Sequence, residues 1–246
     1  MQSPSLVLLS NQQALERAVD IVANNVANAS TTGFKREGIE FDTLLSQPVP
    51  GQSINFVVDR ATYRDSSTGP ITPTGNSLDL AIQGPGYFEV QAADGTTRYT
   101  RAGSLQVSNQ GQLVTATGLP VLNDGGQAIV IPDTTTELNI AANGFITARV
   151  DNGANLAELG KIGLVAFPNE QQMKPQGNGL YSTDQASTPA DSSVVQGALE
   201  QSNVQPILEM TDMIKIQRAY EQTSNLISQE NTRLNSAITT LSKTTV

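Results

Sequence analysis

The chain of 246 residues contains no histidine and no cysteine. Proton transfer would therefore fall to carboxylates, lysine or tyrosine. Disulfide scaffolds, His- or Cys-based metal sites and Ser-His-Asp or Cys-His catalysis are excluded. The closest acidic residues are Glu37, Glu40 and Asp42, with Asp59 and Asp65 further on. Paired carboxylates can cleave glycosidic bonds. Such a site usually also wants aromatic platforms, and this chain is 4% aromatic with no tryptophan. A solvated acidic face is the better reading. No catalytic residue, cofactor or metal is assigned, and a carbohydrate-active or cell-wall enzyme stays as the alternative. A soluble β-rich binding module is a further option.

Other short patterns carry little. "QGPGYF" and "QGNGLY" each hold Gly-x-Gly without the third glycine or a following helix, so they read as turns and not as nucleotide loops. Asn28-Ala29-Ser30 fits the glycosylation acceptor pattern, which is short and common, at a site that reads as helix. The net charge of −9, with only 14 scattered Lys and Arg, opposes nucleic-acid binding and association with anionic membranes. No stretch is long enough to insert into a membrane. "MQSPSLVLLSNQQALER" has no basic residue before Arg17 and no cleavage site, so it does not read as a secretory signal.

The elements come next. A helix is expected over about 5–28. Leu8, Leu15, Val19, Val22, Val26 and Ala29, with Gln12 as the one polar member, alternate four and three residues apart. The helix ends in "ANNVANASTTGFKR", in which Ser30 to Gly33 cap it and turn the chain. A second helix is expected from 205 to the end. Met213, Ile216, Tyr220, Thr223, Ile227, Glu230, Leu234, Ala237 and Leu241 keep the same rhythm, and Pro206 suits a first helical turn.

Between the helices the period switches to short alternating runs broken by turn residues. Hairpins are expected at Asp94-Gly95, Asn109-Gln110-Gly111, Asp124-Gly125-Gly126 and Asn143-Gly144. No helical segment separates them, so the sheets should be antiparallel, in a barrel or sandwich. "STDQASTPADSSV" reads as a linker. The fold class is α+β: long terminal helices pair as a coiled-coil-like domain (1–45 and 197–246), a linker or extension covers 46–75, and a β-rich domain covers 76–196. Antiparallel pairing of unequal helices leaves an apolar stripe that needs a partner chain.

Three blocks carry a resemblance. "IVANNVANASTTGFKR", "GALEQSNVQPILEMTDMIKIQRAYE" and the central "NSLDLAIQGPGYFEVQAADGTTRYTRAGSLQVSNQGQLVTATGLPVL" are similar to flagellar basal-body rod and hook proteins. Within that family the opening is most similar to proximal rod proteins, and next to distal ones. The resemblance implies a structural subunit of the bacterial flagellar basal-body rod in the periplasm. It implies export through the flagellar type III apparatus without a cleaved signal. It also implies partners, namely other rod proteins and copies of itself, in a helical tube that surrounds the export channel and transmits torque.

On that basis a subunit interface is expected at Leu8, Leu15, Val19, Val22, Asn24, Asn25, Val26, Asn28, Thr32, Gly33 and Phe34, and at Met213, Ile216, Arg218, Tyr220, Ile227, Leu234 and Leu241. Ala23, Ala27 and Ala29 would let helices approach closely. The three asparagines would bond neighbouring backbone or line the channel.

Overall fold

The computed structural model describes residues 3–49, 52–150 and 155–243. It is α+β, with one helix at each end and antiparallel strands between. The chain divides into two compact units. One holds residues 1–27, 37–65 and 205–246, and the other holds 28–36 and 66–204.

In the first unit, helix α1 spans Ser3–Ala27 and helix α2 spans Pro206–Lys243. At 1.5 Å per residue they measure about 38 Å and about 57 Å. They run antiparallel: Asn11 bonds Thr223, Gln12 bonds Tyr220, and Asn25 bonds Glu209. Between them in sequence lies a hairpin of β1 (Glu37–Val49) and β2 (Gln52–Arg64), both packed against α1. Their register begins at Glu37 opposite Arg64, with irregularities after Glu40 and after Ser46. Residues 46–64, expected as extension, thus lie largely within this hairpin.

The heptad reading of α2 locates its inner face. Met213, Ile216, Tyr220, Thr223, Ile227, Glu230 and Leu234 are all buried or half-buried. Ala237 and Leu241 are exposed, because the shorter α1 has ended. On α1 the reading is shifted. The most buried positions are Ala14, Ala18, Val22 and Asn25, whereas Leu15 and Val19 are only half-buried. Two alanines one turn apart on the packed face allow close approach of backbone, which bulkier residues there would prevent. Ala29 lies beyond the helix, which stops at Ala27, and cannot extend the stripe.

In the second unit the strands form small antiparallel sheets. The largest has six strands, in the spatial order Lys174–Pro175, Leu180–Ser182, Thr97–Thr100, Tyr87–Gln91, Leu164–Ala166 and Thr188–Pro189. Alternation along Tyr87–Gln91 sends Phe88 and Val90 into the main apolar core, with Leu80, Ile82, Leu113 and Ile146. Tyr87 faces the other side, in a cluster with Val165, Phe167, Met173 and Tyr181. The hairpin turns fall where Asp-Gly and Asn-Gly dipeptides placed them. "STDQASTPADSSV" is no linker. Thr188–Pro189 is an edge strand of the six-stranded sheet, and Ser193–Gln196 pairs with Leu80–Gln83.

Candidate subunit interface and the locks behind it

The polar end of α1 does two separate jobs. Asn25 is fully buried. Its Nδ2 donates to the Glu37 carbonyl (2.8 Å) and to Glu209 Oε2 (3.0 Å), and its Oδ1 accepts from the Glu37 N–H (3.0 Å). One amide thereby joins α1, the start of β1 and the first turn of α2. An amide side chain can do this because it carries a donor and an acceptor together. Asn24 is exposed and Asn28 half-buried, the latter accepting from Thr31 at both its carbonyl and Oδ1.

The second job falls to "TTGFKR", which belongs to the β-rich unit. The chain turns at Gly33, with φ +70°, and the Gly33 N–H donates to the Glu200 carbonyl at 2.8 Å. A Cβ at residue 33 would lie 2.6 Å from the Arg101 carbonyl carbon. Glycine is required here both by the backbone conformation and by the close approach. Phe34 is half-buried, and its carbonyl accepts from the Asn203 N–H at 3.4 Å. Asn203 Oδ1 in turn accepts from the Arg36 N–H at 2.7 Å.

Beneath this turn lies a buried charge cluster. Glu200 Oε1 accepts from Lys35 Nζ (2.6 Å) and from the Gly69 N–H (3.1 Å), while Oε2 accepts from Arg101 Nε (2.8 Å). Lys35 also donates to the Ser67 carbonyl, and Arg101 to the carbonyls of Gly84 and Gly86. All three side chains are almost wholly excluded from solvent. Burial pushes the Lys35 ammonium below its usual range, the Arg101 charge adds to that, and the Glu200 carboxylate opposes it. Sequence reading missed Lys35, Arg101 and Glu200. The available signal was that Lys35 and Glu200 stand inside the two quoted terminal blocks, and Arg101 inside the central one.

The remaining residues expected at an interface lie on the helix pair. Leu8, Leu15, Val19, Val26, Met213, Ile216, Tyr220, Ile227 and Leu234 are half-buried within this one chain, Val22 is buried, and Arg218 is exposed. Thr32 is half-buried in the β-rich unit. Ala23 and Ala27 face outward. A second apolar surface escaped the heptad reading. Ile207, Met210 and Ile214, one turn apart on α2, are 80%, 53% and 51% exposed, and Leu6 and Leu9 of α1 are 52% and 47% exposed. Glu37 forms an ion pair of 3.9 Å with Arg64, and Glu40 is exposed. The side chains of Asp42 and Asp59 lie outside the described residues. No helix is long and apolar enough to cross a membrane among the described residues.

A protein whose termini return to one helix pair, with apolar stripes left open on it, has the form of a structural subunit. Three family patterns match the chain. They are "Flagella basal body rod protein" at residues 6–35, "Flagellar hook protein FlgE/F/G D1 domain" at 81–148, and "Flagellar basal body rod FlgEFG protein C-terminal" at 195–240. The flagellar basal-body rod protein FlgF of Caulobacter vibrioides is 40% identical over 99% of this chain and 99% of its own length. FlgF of Mesorhizobium japonicum is 36% identical over 98% of each. FlgG of Agrobacterium fabrum is 37% identical over 90% of this chain and 93% of its own. The chain belongs to the flagellar basal-body rod protein family, whose members are structural and not enzymes.

Proposed function

We propose that the chain is a subunit of the proximal part of the rod, in the role of its FlgF relatives. Its match to the two FlgF sequences runs over 98–99% of both partners, against 90% of this chain for the FlgG of Agrobacterium fabrum. In this reading α1 and α2 pair in coiled-coil fashion and form the inner tube around the export channel. The β-rich unit forms the outer layer, and torque passes through contacts between subunits. The subunit reaches the rod through the flagellar type III apparatus, without a cleaved signal. Copies of itself and other rod proteins are the neighbours.

The observation that carries this reading is the open apolar surface of the helix pair. Ile207, Met210, Ile214, Ile238 and Leu241 are each more than half exposed. Apolar patches of this kind, one in the first turns of a helix about 57 Å long and one near its far end, are contact surfaces. In this reading the residues expected at the interface, from Leu8 to Phe34 and from Met213 to Leu241, contribute to contacts between subunits. Repeated contacts that do not close into a ring generate a helical assembly.

The test uses swimming cells. Deletion of residues 1–30 or 205–246 should abolish motility and leave basal bodies with rods missing or stopped short. The triple substitution Ile207→Ser, Met210→Ser and Ile214→Ser should do the same while leaving the thermal unfolding of the isolated chain unchanged. Normal rods in the triple variant would reject this face as a contact.

A further inference from the structure

An asparagine followed by glycine can lose its side-chain amide without an enzyme. The next backbone nitrogen attacks the side-chain carbonyl carbon, and glycine puts no Cβ in the way. Two Asn-Gly pairs lie among the described residues, Asn143-Gly144 and Asn178-Gly179, and Asn152-Gly153 lies outside them. Local sequence makes the first two equivalent, but the fold treats them in opposite ways.

Asn143-Gly144 is tied on every side. The Gly144 N–H donates to the Ala141 carbonyl at 2.8 Å, and the Gly144 carbonyl accepts from the Ile162 N–H at 3.0 Å. Asn143 Oδ1 accepts from the Phe145 N–H at 3.2 Å. The strand that follows, Phe145–Val150, is paired on both edges. Attack would have to break the Gly144 bond and free the Asn143 side chain together.

Asn178-Gly179 has neither tie. The turn is closed by the Leu180 N–H on the Gly177 carbonyl at 2.9 Å, with φ +51° at Asn178 and +70° at Gly179. That turn leaves the Gly179 N–H unused, and neither it nor the Asn178 side-chain amide has a hydrogen bond among the described residues. Asn178 is exposed. Attack still requires the peptide between the two residues to rotate out of the turn. The hairpin gives way cheaply, because its outer strand, Lys174–Pro175, is short, lies at the sheet edge and includes a residue without an N–H. We propose that Asn178 is a site of spontaneous deamidation in the folded chain, while Asn143 is protected. The Gly179 nitrogen gives up its proton and bonds Asn178 Cγ. The Cγ–Nδ2 bond breaks, and ammonia leaves with the equivalent of that proton. Water then adds across either C–N bond of the cyclic imide and leaves aspartate or isoaspartate. Either product adds a negative charge to a chain of net charge −9, and isoaspartate also lengthens the backbone of a tight turn.

The test ages the full chain at mildly alkaline pH, digests it, and scores each asparagine by peptide mass spectrometry, with fragmentation that separates aspartate from isoaspartate. In the folded chain Asn178 is expected to convert at least about tenfold faster than Asn143. In the same chain unfolded by urea the two sites should convert at similar rates, because both are then ordinary Asn-Gly pairs. Equal rates in the folded chain, faster conversion at Asn143, or no conversion at Asn178 while the unfolded chain converts would overturn the proposal. So would an unfolded-chain ratio as large as the folded one, since the fold would then play no part. The measurement requires no assembly, so its failure leaves the rod assignment standing.

Discussion

Asn25 and Glu209 stand 184 residues apart in sequence and meet through a buried hydrogen bond of 3.0 Å. The same amide bonds both backbone groups of Glu37. Three separate segments of the helical unit therefore converge on one side chain.

Asn25→Ala should be costly for that reason. It strands the Glu37 backbone groups and removes a donor from the Glu209 carboxylate. The expected loss is about 3 kcal/mol, from about 1–3 kcal/mol for each buried group left without a partner. Hydrogen exchange at the Glu37 amide and the first turn of α2 reports it directly. Asn25→Asp should be at least as severe at neutral pH, because it sets a carboxylate against Glu209. Unchanged protection in both variants would remove Asn25 from this role.

Gly33→Ala meets two obstacles at once, a φ of +70° and a backbone carbon 2.6 Å from the new Cβ. Neither yields cheaply, since the opposing atom belongs to the main chain. The expected destabilisation is at least about 2 kcal/mol, measured by urea unfolding. Relief by Gly33→Asn, which tolerates this conformation better than alanine, would point to backbone angle as the larger part. No relief would assign the cost to the close approach.

Glu200→Gln leaves Lys35 and Arg101 buried without their shared anion. Breaking a buried pair by removing one partner costs about 3–5 kcal/mol. Lys35→Met should cost less, because Arg101 still neutralises Glu200, and the methionine stem fills the space. Chemical denaturation of the two variants ranks them, and the reverse order would show that the Lys35 contacts dominate.

Glu89 gives the chain a pH dependence with a definite sign. Its folded-state carboxyl titrates above 4.5 because of burial. Below that pH both folded and unfolded chains hold the proton and nothing is lost. As the pH rises through 4.5 the unfolded chain ionises first, so stability falls until the folded pKa is passed. Glu89→Gln removes that penalty. The variant should be more stable than wild type at pH 7, and the gap should close below 4.5. A gap independent of pH would mean that ionisation of Glu89 is not its source.

Much of this architecture was legible along the chain. The two stripes, the hairpin turns at Asp-Gly and Asn-Gly, and the absence of histidine and cysteine depend on local chemistry and on period, which sequence states outright. The inner face of α2 from Met213 to Leu234 was readable because α1 covers one stripe of it at the heptad spacing. The inner face of α1 was not. Burial there favours small residues at the point of closest approach, so Ala14 and Ala18 displace Leu15 and Val19. The hairpin formed by β1 and β2 was hidden because its pairing is recorded in register, not in composition.

The sequence by itself determined that two apolar-striped helices flank antiparallel strands, and that no histidine or cysteine chemistry is available. Only the tertiary structure decided that Asn25 clamps three segments of one unit, and that Lys35, Arg101 and Glu200 share one buried site in the other. The physical reason is one of distance. Helix period and turn chemistry act over a few residues. A buried hydrogen bond or ion pair depends on which distant segments fold together and exclude water, and no local pattern carries that information.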